Sequence, residues 1–143
     1  MKKFKSTINE KSASFKLNKD GMLNLIEKLE SNLKLSKVQG NESALKKAKE
    51  RGKSLARERI TKIIDKNSDF MELMPLAGLK HEGGFGPGGT TVAGIGYVSN
   101  KPCIINSNIG TKKGGAVDYA TSLKNLRLSQ IAKENKLTTI NLV

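Results

Sequence analysis

Residues 82–96, from Glu82 to Gly96, read EGGFGPGGTTVAGIG, and the fold class turns on what that run is. Gly84, Gly86 and Gly89 spell a literal GxGxxG. In a dinucleotide-binding fold that pattern follows a strand and opens a helix, whose N-terminus then meets the pyrophosphate. Here Pro87 interrupts the run, and Thr90 to Val98 is β-branched and strand-like instead of helical. The run therefore predicts a structural loop, Gly86, Pro87, Gly88 and Gly89, of turn and bulge glycines feeding a strand.

Working outward, Thr91–Val98 and Cys103–Ser107 predict two strands joined through Ser99–Pro102, a connection short enough for a β-hairpin. A polar, glycine-rich stretch from Asn108 to Gly115 leads to a helix expected over Val117–Asn135, with Leu123, Leu126, Leu128, Ile131 and Ala132 as its apolar face. Leu137–Val143 has the composition of a buried strand. Strand, crossover helix and strand imply a βαβ unit with parallel strands at its ends. The sequence stops at the carboxyl end of that last strand, where ligand and catalytic groups of open α/β sheets lie.

Toward the N-terminus, Met22, Leu25, Ile26, Leu29 and Leu33 predict an amphipathic helix over Asp20–Val38, capped by Asp20 and stopped at Gly40. A polar helix is expected over Glu42–Arg51 with Asn41 as its cap, and another over Ser54–Ile64 with Leu55, Ile60, Ile63 and Ile64 on one side. Arg57 and Arg59 could form intrahelical pairs around Glu58 or reach a ligand phosphate. Gly52-Lys53-Ser54 imitates the end of a Walker A motif, but Lys47 stands where its first glycine belongs. The expected organisation is a helical sheath over residues 1–66 and a sheet-bearing unit over 67–143.

Composition narrows the chemistry. The net charge of +13 is spread along the chain, with 18 basic against 10 acidic residues up to Pro75 and 8 against 3 beyond it. A polyphosphate ligand or nucleic acid could meet such a charge, but no dense basic tail is present. Cys103, the single cysteine, excludes an intramolecular disulfide, and His81 is the single histidine. Without a second His or a matched Cys cluster, a zinc site or Ser-His-Asp triad has little support. No window is apolar enough to span a bilayer, and MKKFKSTINE lacks the apolar core of a secretory leader, so the cytoplasm is expected.

RGKSLARERI (Arg51–Ile60), DKNSDFMEL (Asp65–Leu73), GPGGTTVAGIG (Gly86–Gly96), Pro102–Ile105, Lys113-Gly114-Gly115 and LRLSQIAKENKL (Leu126–Leu137) follow one another along the chain. In that order they resemble the carboxyltransferase (β) subunit of biotin-dependent acyl-CoA carboxylases, the methylcrotonoyl-CoA and propionyl-CoA carboxylase group. The first is close to the family's RGKLLARERI and the second to its DPGSPFLEL. GPGGTTVAGIG (Gly86–Gly96) is similar to PGGGIVTGIG, and Pro102–Ile105 fits the next strand. Lys113-Gly114-Gly115 matches a KGG loop, and LRLSQIAKENKL (Leu126–Leu137) follows LRAQEIAxENxL. Phe15 to Met22, read as preceding the first helix, has a family-like spacing of Phe, Asn and Met. The chain departs from the pattern at Lys66 and Asp69, where prolines are common, and at Ile109 and Ala116–Tyr119.

The resemblance implies an α/β fold: N-terminal helices followed by the first part of a crotonase-like β-β-α fold, incomplete. It implies transfer of a carboxyl group from carboxybiotin to an acyl-CoA, with the enolate held by backbone N–H groups in oxyanion holes. In the family one such hole follows the strand equivalent to Leu137–Val143 and the other lies in a second repeat, so the expected chain is inactive alone and has no catalytic residue. Candidate CoA-binding residues are Lys112, Lys113, Gly114 and Gly115, since paired glycines admit a ligand to the backbone and lysines can meet phosphate. No cofactor is expected directly; biotin would arrive on a partner carrier. Implied partners are acyl-CoA, the biotin carboxylase and carrier subunit, and further carboxyltransferase chains, with no membrane. Two other readings stay open: a remnant or interaction protein without the chemistry, and a basic nucleic-acid binder whose affinity collapses with salt.

Overall fold

Hairpin and crossover are both present. The computed structural model describes residues 5–143; the leader reading of residues 1–10 falls partly on residues 1–4, outside the described residues. In chain order come α1 (Ala13–Ser36), α2 (Glu42–Glu50), α3 (Ala56–Ile63), β1 (Met71–Glu72), β2 (Thr91–Val98), β3 (Lys101–Asn108), a 3-10 turn (Lys113–Gly115), α4 (Tyr119–Glu134) and β4 (Thr138–Leu142). The sheet order is β1-β2-β3-β4; the first two pairings are antiparallel and β3 pairs with β4 in parallel across α4. No helix among the described residues is long and apolar enough to cross a membrane.

The hairpin is tighter than its sequence suggested. Lys101 and Pro102 belong to β3, so the turn is Ser99-Asn100 alone, both residues left-handed at φ 52° and 61°. Two-residue turns of this kind match the right-handed twist of the strands. The Asp65 carboxylate accepts both turn amides, Ser99 at 2.8 Å and Asn100 at 2.7 Å. Pro102 is tolerated because it lies near the strand's start, beside the turn.

Each face of the sheet carries its own core. On one face α3 packs Ala56 and Ile60 against Val92, Cys103, Ile105 and Ile109. On the other, Ala93 and Ile104 meet Leu128 and Ala132 of α4. Cys103 is a buried free thiol. Gly94 permits the approach of β1, since a Cβ there would lie 2.3 Å from the Met71 carbonyl oxygen.

Four expectations need correction. α1 starts at Ala13, capped by the Ser12 hydroxyl on the Phe15 amide (3.2 Å), so Phe15–Met22 is helix and Asp20 lies inside it. Asp20 can cap a helix, but Ser12 caps it earlier, and Gly21 costs only about 1 kcal/mol, which does not stop a helix this long. The α1 stripe of Met22, Leu25, Ile26 and Leu29 is exposed, with Leu25 at 63%. On α4 the buried face is Ala120, Thr121, Lys124, Leu128 and Ala132, while Leu123 and Leu126 face outward. β4 is a half-exposed strand, not a buried one, because only its Ile140 and Leu142 face packs, on the α3 side of the sheet, and nothing among the described residues pairs its outer edge.

Candidate functional site

The carboxyl ends of β3 and β4 and the first turns of α4 enclose a cleft of ≈ 220 Å3. Asn106 and Asn108 reach it from β3, Asn141 from β4 and Asn125 from α4, with Thr91 at the start of β2 and Gly115 at the rim. Asn106 and Asn141 are register partners, so the sheet itself sets the amides side by side. The Asn106 amide donates to Asn125 Oδ1 at 3.5 Å, and its oxygen accepts from the Thr91 hydroxyl. Asn108 Oδ1 is buried without a partner among the described residues and faces Gly115, where a Cβ would come within 2.8 Å. Among the described residues no charged side chain lines the cleft, despite the net charge of +13. Such a lining suits a neutral group rich in hydrogen-bonding atoms, and a phosphate would find no countercharge there.

α4 begins where it does because Asp118 caps it. The carboxylate accepts from the Thr121 amide (2.8 Å) and hydroxyl (2.5 Å), and its second oxygen takes the Phe85 amide at 2.8 Å. Burial pushes this carboxyl up, but the Thr121 hydroxyl and the Phe85 and Thr121 amides outweigh it and hold it below the ordinary carboxylate range. One side chain thus ties the helix start to the loop of residues 82–89.

That loop's amides are already engaged. Gly88 N–H donates to the Ala77 carbonyl (2.9 Å), Gly89 N–H to Gly86 (3.1 Å) and Thr90 N–H to the Thr121 hydroxyl (3.1 Å). Gly89 is left-handed at φ +62° against Thr121, and a Cβ there would lie 2.2 Å from the hydroxyl oxygen. No run of free amides points at a common centre over 88–90, as a phosphate cradle requires. Lys124, missed in the sequence, crosses beneath: its amine donates to the Thr91 (2.8 Å) and Gly88 (3.2 Å) carbonyls. Its position four residues from both Ala120 and Leu128 was the available signal, hidden because a lysine does not register as core.

Of the four candidate ligand residues, the structure brings only Gly115 to the cleft. Lys113, Gly114 and Gly115 are consecutively left-handed, at φ 52°, 64° and 79°. Lys112 turns its amine to the Pro87 carbonyl at 3.4 Å; burial lowers its proton affinity and Asp118 partly restores it. Lys113 is exposed, its amine 5.9 Å from the Phe85 ring centre. The KGG turn and the glycine loop are therefore neighbours, which the sequence did not reveal.

The arginines of α3 form tertiary contacts in place of the expected intrahelical pairs. Arg57 makes a two-pronged pair with Glu72 of β1 at 2.7 and 2.8 Å, and Arg59 donates to the Asn108 carbonyl at the cleft's edge. Glu58 instead caps the Leu55 amide at 2.8 Å. Among the described residues no cluster of His, Cys, Asp and Glu could hold a metal ion.

A family model described as the carboxyl transferase domain matches residues 47–143. Over 119 residues the chain is 40% identical to the biotin-dependent 3-methylcrotonyl-coenzyme A carboxylase beta1 subunit of Mycobacterium tuberculosis, covering 83% of this chain and 22% of that protein. It is 38% identical over 141 residues to the mitochondrial methylcrotonoyl-CoA carboxylase beta chain of Dictyostelium discoideum, covering 96% and 24% respectively. Among solved structures, the beta subunit of geranyl-CoA carboxylase from P. aeruginosa superposes with a TM-score of 0.72 at 31% identity, over 98% of this chain and 26% of that one. Transcarboxylase 12S superposes with a TM-score of 0.70 at 26% identity, over 84% and 24%. The chain spans about a quarter of the length of these relatives.

Proposed function

The chain belongs to the carboxyl transferase domain family, with the crotonase-type α/β architecture of which it covers part, and from that premise we propose that it serves an acyl-CoA carboxylase. In this reading residues 1–143 form the first layer of a carboxyltransferase β subunit. A partner carrier brings carboxybiotin, which supplies the carboxyl group, and the acceptor is an acyl-CoA such as methylcrotonoyl-CoA or propionyl-CoA. The match across residues 47–143 carries the assignment.

The cleft supports a division of labour on the acyl-CoA. The arm of coenzyme A is a chain of neutral amides, which the Asn106, Asn125 and Asn141 amides can pair. Lys113 is exposed beside the rim and is the cation we assign to a phosphate; Lys112 supports the turn from beneath through Pro87. Gly114 and Gly115 give the backbone its left-handed path past Asn108. Gly86–Gly89 act as the structural loop that fixes the start of β2.

Calorimetric titration of the chain with methylcrotonoyl-CoA tests the site. Binding is expected to weaken several-fold in Lys113→Ala, whereas a phosphate-free pantetheine amide binds both forms alike. Absence of binding at millimolar ligand rejects the assignment of Lys112–Gly115. With carboxybiotin supplied, residues 1–143 alone are expected to carboxylate no acyl-CoA; measured turnover by this chain overturns that part.

A further inference from the structure

Lys124 is the largest fully buried side chain, only 2% exposed, and it lies in the middle of the α4 face that packs on the sheet. Its amine meets carbonyls instead of carboxylates: Gly88 at 3.2 Å and Thr91 at 2.8 Å, on either side of Gly89 and Thr90. The acid that faces it, Glu72 of β1, is held by both terminal nitrogens of Arg57 from α3. Lys112 adds a second positive charge at Pro87, offset by Asp118. His81 and Tyr119 stand beside the apolar groove that the lysine stem helps to floor.

A neutral amine has two N–H groups, and both have acceptors here. An ammonium has three, and the third finds no acceptor among the described residues. Burial pulls the amine's pKa down to about 8; Glu72 opposes that, and Arg57 and Lys112 reinforce it. We propose that Lys124 is a proton-sensitive latch: as a neutral amine it fastens residues 88–91 to α4, and on taking up a proton it loosens them. This holds whether or not the acyl-CoA reading does.

The direction follows from linkage. The latched form binds the proton less tightly than the opened form, so protons favour opening, and the latch tightens as pH rises from about 8 to 10.5. Opening is expected to be about tenfold more frequent at pH 7 than at pH 9.

Two measurements on the full chain test this. In a 13Cε titration, Lys124 is expected to turn over near pH 8, well below the ordinary lysine value of 10.5. Hydrogen exchange at the Thr90 amide, corrected for its intrinsic pH dependence, is expected to slow about tenfold from pH 7 to pH 9 in the wild type, and to lose that extra dependence in Lys124→Met. If Lys124 turns over at the ordinary lysine value of 10.5, or the Thr90 dependence survives in Lys124→Met, the latch is rejected. Should the variant not fold, the wild-type titration decides alone.

Discussion

Gly89 and Gly86 show how narrowly single residues set the loop. Both are left-handed, at φ +62° and +80°, so alanine at either one strains the backbone by about 1–2 kcal/mol. They differ in what a methyl group meets. At Gly86 nothing among the described residues lies within 4 Å, whereas at Gly89 the Thr121 hydroxyl sits where the Cβ must go. Gly89→Ala is expected to destabilise by about 3 kcal/mol or more, because it also breaks the Thr121 bond to the Thr90 amide. Gly86→Ala should cost only the backbone share, about 1–2 kcal/mol. Urea midpoints of the two variants check the contrast; equal losses contradict it. The glycines as a class were legible in the sequence, since turns demand them. Which one touches Thr121 was not, because that contact joins positions 32 residues apart. Lys124 was hidden for a related reason: its burial depends on carbonyls supplied by a distant loop, and no local pattern encodes them.

Elements were read with uneven success. β2, α2 and the parallel β3–β4 crossover lie where their residue patterns put them, since alternation, a capping Asn41 and crossover length act locally. α1 was misplaced because Asp20-Gly21 looks like a boundary, whereas Ser12 caps as well and the intervening residues favour helix. Gly21 therefore weakens an otherwise continuous rod, and a Cβ at that position meets nothing within 4 Å among the described residues. Gly21→Ala is expected to stabilise α1 by about 0.5–1 kcal/mol. Far-UV circular dichroism should show higher helix content at elevated temperature; a fall in helicity contradicts the assignment of Gly21 to the helix interior. The cleft's asparagines were invisible at this scale, because only the β3–β4 register brings Asn106 and Asn141 together.

At the scale of the whole molecule, two surfaces stand open. The α1 stripe exposes Met22, Leu25, Ile26 and Leu29, and β4 presents an unpaired outer edge among the described residues. Exposed apolar rows and strand edges drive association, while the charge of +13 opposes it at low salt. Association of the chain is expected to rise with salt, and Leu25→Lys with Leu29→Lys should lower it without altering the unfolding midpoint. Sedimentation velocity across a salt series checks this; a monomer at every ionic strength contradicts it. Family membership was legible because short motifs keep their order and spacing. The molecular surface was not, since exposure is decided by what packs where.

Gly40 joins these scales mechanically. It passes so near Thr111 that a Cβ would lie 2.5 Å from the Thr111 carbonyl oxygen, and the Thr111 hydroxyl bonds back to Gln39. A rod of 24 residues, about 36 Å long at 1.5 Å per residue, ends at Ser36, and four residues further on the chain is held one residue from Lys112. Whatever grips Leu25 and Leu29 is thereby linked to the KGG turn through a tether of four residues, 37–40, that ends against Thr111.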